Sequence, residues 1–109
     1  MSKEKKIPKK VLENAIVEQL KMIYDPEIPV DIYNLGLVYD IEIDYNGNVN
    51  ILMTLTAPNC PVANSLPNEV KTRVESTYGV NNVNVKLTFD PPWNKEFLSD
   101  EAKLLLGMM

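Results

Sequence analysis

The 109-residue chain has no histidine and a single cysteine, Cys60. Without imidazole it lacks the commonest general base and the commonest metal ligand. A Cys–His hydrolase and a Ser–His–Asp triad are both excluded. One thiol makes no internal disulfide and, with no histidine, no Cys/His zinc site within one chain. A reducing cytoplasm is the expected compartment. Glycine is scarce as well: Gly36, Gly47, Gly79 and Gly107 lie far apart, so no phosphate-cradling loop exists. Apolar runs last only a few residues, so no membrane-spanning helix is expected. The start, MSKEKKIPKK, has no apolar stretch after its lysines and does not read as a signal peptide. Positive charge is missing from the middle: no Lys or Arg stands between Lys21 and Lys71, a stretch holding Asp25, Glu27, Asp31, Asp40, Glu42, Asp44 and Glu69. Nucleic acid needs clustered basic side chains to neutralise phosphates, so it is set aside as a partner.

What is present fits one small domain. The chain carries 45% hydrophobic and 24% charged residues with a net charge of −4, an ordinary globular balance. A chain of this size buries roughly 65% of its unfolded surface, enough for one core. Five of the eleven basic residues are Lys3, Lys5, Lys6, Lys9 and Lys10. Residues 1–10 therefore read as a flexible basic tail, and 11–109 as a single domain.

Leu12, Ile16, Leu20 and Ile23 recur at helical spacing and predict an amphipathic helix over 9–23, started at Pro8 and stopped by Asp25-Pro26. Residues 25–36, with Pro26, Pro29 and Gly36, read as a loop. Leu37, Tyr39, Ile41, Ile43 and Tyr45 then alternate with polar residues. Asn46-Gly47 predicts a tight hairpin, since both residues tolerate positive φ, and Val49, Ile51, Met53 and Leu55 return. Val83, Val85, Leu87 and Phe89 form a third alternating strand. Between these strands, Val62, Leu66, Val70, Val74 and Tyr78 predict a helix over 61–78, kinked or irregular at Pro67 and capped by Gly79. A terminal helix follows Asp90-Pro91-Pro92-Trp93, with Ser99 as N-cap, Asp100 and Glu101 in its first turn and Gly107 as C-cap. The order is α-β-β-α-β-α. Strands with one apolar face want helices on one face only, which makes a two-layer α+β sandwich.

The remaining chemistry sits in Thr56-Ala57-Pro58-Asn59-Cys60-Pro61. Pro61 suits a first helical position, which makes Cys60 an N-cap. Free backbone amides of the first turn and the positive helix end would then favour its thiolate. That is the setting of a nucleophile or a metal ligand, but also of a small buried residue at a tight junction. Asp25 opens the proline-rich loop, where a carboxylate caps backbone amides or, beside Cys60, assists it. Trp93 reads as cover for a core edge, with ligand contact as the alternative.

Three stretches together carry a resemblance: DPEIPVDIYNLGLVYDI at 25–41, MTLTAPNCPVAN at 53–64 and DPPWNKEFLSDEAKLLLG at 90–107. In this order they resemble the SufT-like iron–sulfur cluster assembly proteins, relatives of PaaD and of the cytosolic iron–sulfur targeting factor. The resemblance implies a small mixed three-stranded sheet with helices, and a role in maturing iron–sulfur proteins. It makes Cys60 the key residue and candidate cluster or metal ligand. Asp25 and Glu27, which match the family's acidic loop start, and Thr56, Asn59 and Pro61 stand as supporting residues. Asn59 replaces the glycine that many relatives have, and asparagine also tolerates left-handed backbone angles. The further C-terminal cysteines of the PaaD branch are lacking, so a PaaD-type metal site is not expected.

A cluster wants four thiolates. One chain supplies one and a homodimer two, so no tightly bound cofactor is expected. A labile cluster or iron would be shared across a dimer or with a partner. Iron–sulfur scaffold or carrier proteins and apo clients are the implied partners. Two other readings stay open: a thiol-based redox protein, without a resolving cysteine, and a non-catalytic adaptor in which Cys60 is structural.

Overall fold

The computed structural model describes residues 8–25, 28–56 and 65–107. Eight elements follow in order: α1 (Lys9–Leu20), α2 (Ile32–Leu35), β1 (Val38–Ile43), β2 (Asn48–Met53), α3 (Ser65–Glu75), β3 (Asn82–Leu87), a short 3-10 helix (Lys95–Phe97) and α4 (Asp100–Leu105). The strands form one mixed sheet in the order β1-β2-β3, with β1 antiparallel and β3 parallel to β2. The α+β architecture and the three-stranded mixed sheet match expectation.

The register assigns the two sheet faces. Ile43, Val49 and Val83 lie in one row, and Ile41, Ile51 and Val85 in the next. Side chains alternate across a strand, so this is the apolar face. It packs into the core with Leu12, Ile16 and Leu20 of α1 and Leu66, Val70 and Val74 of α3. Each fully buried Leu, Ile or Val of this set contributes roughly 1.5–3 kcal/mol. The opposite face carries Asp40, Glu42, Asn50 and Asn84, all exposed.

Several boundaries differ from the sequence expectation. α1 stops at Leu20, short of Ile23. Ile23 is still fully buried: its N–H donates to the Leu20 carbonyl and its own carbonyl accepts from Ile32 N–H at 2.8 Å. The hydrophobic stripe thus outlasts the helix. The loop 25–36 contains a helix, α2, that proline and glycine concealed. The hairpin turn needs only one left-handed residue. Gly47 has φ +83°, while no described non-glycine residue has positive φ. Asp44 closes the turn: its Oδ1 accepts the N–H groups of Asn46 and Asn48 at 2.8 and 3.0 Å. The alternation of β1 is broken by a register shift between Val38 and Asp40, which leaves Tyr39 as an extra residue. β2 and β3 end at Met53 and Leu87, two residues early in each case, and Phe89 is exposed.

The described part of α3 runs Ser65–Glu75, and residues 61–64, where the expected helix begins, lie outside the described residues. The helix ends at Glu75, and Tyr78, assigned to its stripe, is 72% exposed. Gly79 lies past the helix end, with φ +96°, and its carbonyl sits against Gly47. Ser99 caps α4 as expected, accepting from Ala102 N–H at 3.1 Å.

The Asp44 carboxyl is held below its ordinary pKa, first by the Asn48 side-chain amide and then by backbone amides. A depressed folded-state value means that the stabilisation is present above the unfolded aspartate pKa. It is lost as pH falls through the folded one. We expect the Asn48 amide resonance to titrate with a midpoint below that of a free aspartate, and Asp44→Asn to abolish the transition.

Candidate functional site

The short helix α2 organises the region. Asp31 is its N-cap: Oδ2 accepts from Asn34 N–H and Oδ1 from Asn34 Nδ2, both at 2.9 Å. Gly36 ends it in the left-handed conformation at φ +86°. Ile32 and Leu35 point into the core. Asp31-x-x-Asn34-x-Gly36 is a cap-to-cap signature, masked in the sequence by Pro26 and Pro29.

The C-terminal segment docks on this helix. Trp93 Nε1 donates to the Leu35 carbonyl at 2.7 Å. Ser99 N–H donates to the Asn34 carbonyl and Ser99 Oγ to Asn34 Oδ1, both at 2.9 Å. Hydrogen bonds therefore run in one direction, from Ala102 N–H to Ser99, on to Asn34 and on to Asp31. The Tyr39 hydroxyl donates to the Pro91 carbonyl at 2.7 Å, and its ring meets Phe97 edge-on at 5.9 Å. Trp93 is half-buried against the core, as expected of a cover residue. Asp31→Ala should cost about 1–2 kcal/mol by removing the cap, a fall in melting temperature of about 5–10 °C by thermal denaturation.

The same end of the sheet gathers the described parts of the three stretches that carry the family resemblance. Val38 pairs with Met53, and Met53 with Leu87. Thr54 N–H donates to the Leu37 carbonyl at 2.8 Å, and Thr88 N–H to the Met53 carbonyl at 2.9 Å. The chain that leads toward Cys60 thus leaves the sheet between the root of α2 and the root of the C-terminal segment. The hairpin turn at 44–48 lies at the far end, where Asn81 N–H donates to the Gly47 carbonyl at 2.8 Å.

Of the residues singled out from sequence, Asp25 is 8% exposed, and its Oδ1 accepts from Ile28 N–H at 2.9 Å. This is the amide-capping role anticipated for it. Thr56 follows β2 and is half-buried. Glu27, Asn59, Cys60 and Pro61 lie outside the described residues. Sequence reading passed over Asp31, Asn34 and Ser99 as a connected set, and it passed over Thr54. Thr54 is fully buried, and its Oγ1 has no hydrogen-bond partner. Among the described residues no group of three or more His, Cys, Asp or Glu converges on a metal-sized site. None of the described helices is long and apolar enough to cross a membrane.

Residues 13–87 match the profile of the family described as iron–sulfur cluster assembly protein. The chain belongs to this family. It is 50% identical to an Fe-S protein maturation auxiliary factor of Porphyromonas gingivalis, over 89% of this chain and 92% of the relative. Identity to the Fe-S protein maturation auxiliary factor YitW of Bacillus subtilis is 40%, over 89% of this chain and 95% of that protein. Among solved structures, a domain of unknown function from Bacillus anthracis superposes with a TM-score of 0.84 at 40% identity, covering 92% of this chain and 95% of the other. Membership accounts for the fold, which the solved relative shares.

Proposed function

We propose that the protein is an accessory factor in the maturation of iron–sulfur proteins, with Cys60 as a transient ligand for iron or a cluster in transit. The observation that carries this reading is the pairing of family membership with a chain whose only thiol stands in the stretch leaving that sheet end. Relatives at 50% and 40% identity bear the names of auxiliary factors rather than enzymes. The missing imidazole, the commonest general base, supports a non-enzymatic role. The cargo is substrate and not a resident group: one thiolate meets a quarter of a cluster's ligand need, so the rest comes from a scaffold, a carrier, an apo client or a second copy. Cys60 is supported by Asp25, Glu27, Thr56, Asn59 and Pro61. The working unit is the single domain 11–109, preceded by the lysine-rich segment 1–10, and its place is the cytoplasm, where a lone thiol stays reduced.

Anaerobic loading with ferrous iron, sulfide and a small thiol tests this directly. The protein should show cluster absorption that disappears on desalting, and it should pass iron and sulfur to an apo-aconitase. Cys60→Ala should do neither. Stable iron retained by the monomer, or transfer by Cys60→Ala at the wild-type rate, would exclude it. Full transfer by Cys60→Ser would favour the adaptor reading.

A further inference from the structure

A strand at the edge of a sheet offers unpaired backbone N–H and C=O groups, where another chain can add itself as a further strand. The two edges of this sheet differ. β3 lies under α3. β1 opens instead onto a groove of about 520 Å³, bordered by Lys9 and Glu13 of α1 and by Ile41, Glu42 and Ile43 of β1. The hydrogen bonds show which backbone groups face it. Asp44 N–H donates to the Asn48 carbonyl at 3.0 Å, so Asp44 is turned toward β2. Backbone groups along a strand alternate in direction, which points the N–H and C=O of Ile41 and Ile43 away from β2. Among the described residues no hydrogen bond is made to these four groups. The strip is bounded at both ends: the register shift between Val38 and Asp40 breaks it on one side, and the turn closed by Asp44 ends it on the other. It has room for a guest of about five residues, about 17 Å of extended chain.

The side chains along the strip say what kind of guest fits. Ile41 and Ile43 are partly buried on the helix side of the sheet. Asp40 and Glu42 are exposed on the other side, and Glu13 borders the groove from α1. Lys9, the cation of the lining, lies over the Tyr45 ring, 5.4 Å from its centre. A strand added to β1 alternates as β1 does. Its residues on the helix side touch Ile41 and Ile43, and those on the other side stand beside Asp40 and Glu42. We infer that the outer edge of β1 is a docking strip for an extended segment of a partner protein in which apolar residues alternate with Lys or Arg. Main-chain bonds to Ile41 and Ile43 supply the affinity, and the carboxylates select a basic segment over an acidic one. This goes beyond the function proposed above. It requires neither iron nor Cys60, and the strip lies toward the hairpin, away from the Met53 end of the sheet.

The probe is a synthetic peptide of alternating valine and lysine, followed by amide hydrogen exchange in the full chain. One comparison peptide alternates valine and glutamate. The other keeps the valine–lysine composition but is interrupted by prolines, so it retains the charge and cannot pair as a strand. The valine–lysine peptide should slow exchange at Ile41 and Ile43 about ten-fold or more, while the Asp44 amide, already bonded within the hairpin, hardly changes. Neither comparison peptide should do so. Glu42→Lys, an exposed exchange, should weaken binding about three-fold or more. Ile43→Pro removes an outward N–H without taking a bond from β2. It should abolish the protection at Ile41, with a melting curve to check its fold. No protection by the valine–lysine peptide, or equal protection by the proline-interrupted one, would overturn the inference. So would slow exchange of both amides in the free protein, because the edge would then already be paired, by the chain itself in a monomer or by a second copy in a dimer. None of these readouts involves iron or Cys60, so the function proposed above stands or falls separately.

Discussion

Under the proposed function, replacing Cys60 with alanine should lower aconitase activity at least about ten-fold in cells that depend on this protein. Loss of even an outer partner of a metal ligand costs about 10–100-fold, and here the sole thiol disappears. No second cysteine and no histidine exists to substitute for it. Stability should hardly change. A cysteine-to-alanine exchange removes a single sulfur atom and adds no bulk, charge or unpaired polar group. The measurement is complementation of a strain lacking the protein by wild type, Cys60→Ala and Cys60→Ser, read as aconitase activity at matched protein levels. Full activity from both variants would make Cys60 structural and turn the protein into a plain adaptor.

Gly36→Ala should be the most destabilising exchange of a single small residue. Gly36 has φ +86°, where an L side chain costs about 1–2 kcal/mol. The space is also occupied. A Cβ built on Gly36 would lie 2.7 Å from Phe97 Cβ and 2.9 Å from the Phe97 carbonyl carbon, with the carbonyl oxygen closer still. Backbone cannot step aside as a flexible side-chain end can, so overpacking adds about 1–3 kcal/mol. A total of about 3 kcal/mol or more is a large share of the 5–15 kcal/mol that holds a domain together. It should lower the melting temperature by about 12 °C or more. Because Phe97 lies between Trp93 and Ser99, the damage should spread along the docked C-terminal segment. The fluorescence of Trp93, the only tryptophan, should move toward that of a solvated indole before global unfolding. Gly107→Ala makes the comparison: φ is +70°, but nothing lies within 4 Å of the new Cβ, so it should show the conformational cost alone.

The parts of the fold that were readable from sequence are those where periodicity reports burial. Ile16, Val70, Ile51 and Val83 are core residues because their spacing says so, and all four are buried. Ser99 was readable because N-capping is local chemistry. The parts that were not readable depend on contacts distant in sequence. α2 has only four residues and takes its stability from Asn34 meeting Ser99, 65 residues on. The bulge at Tyr39 is stabilised by partners at Pro91 and Phe97, which no local pattern announces. Ile23 kept the helical period without being helical, since burial fixed its side chain and the chain turned beneath it. At the site, the thiol stood out by elimination. The orphan hydroxyl of Thr54 did not, because a threonine in a strand-like run is indistinguishable from any β-branched residue until its partners are counted.

The mixed sheet also sets an order of assembly. β1 and β2 join through a turn of a few residues and can zip together in about 1–10 μs. β3 must find β2 across a much longer excursion: Asn50 and Asn84, adjacent on the finished sheet, are 34 residues apart in sequence. That closure has to offset its loop entropy before any contact rewards it. The excursion contains α3 and the stretch bearing Cys60. Under the proposed function, a nascent or partly folded chain would therefore carry Cys60 without the β2–β3 pairing that flanks its stretch in sequence.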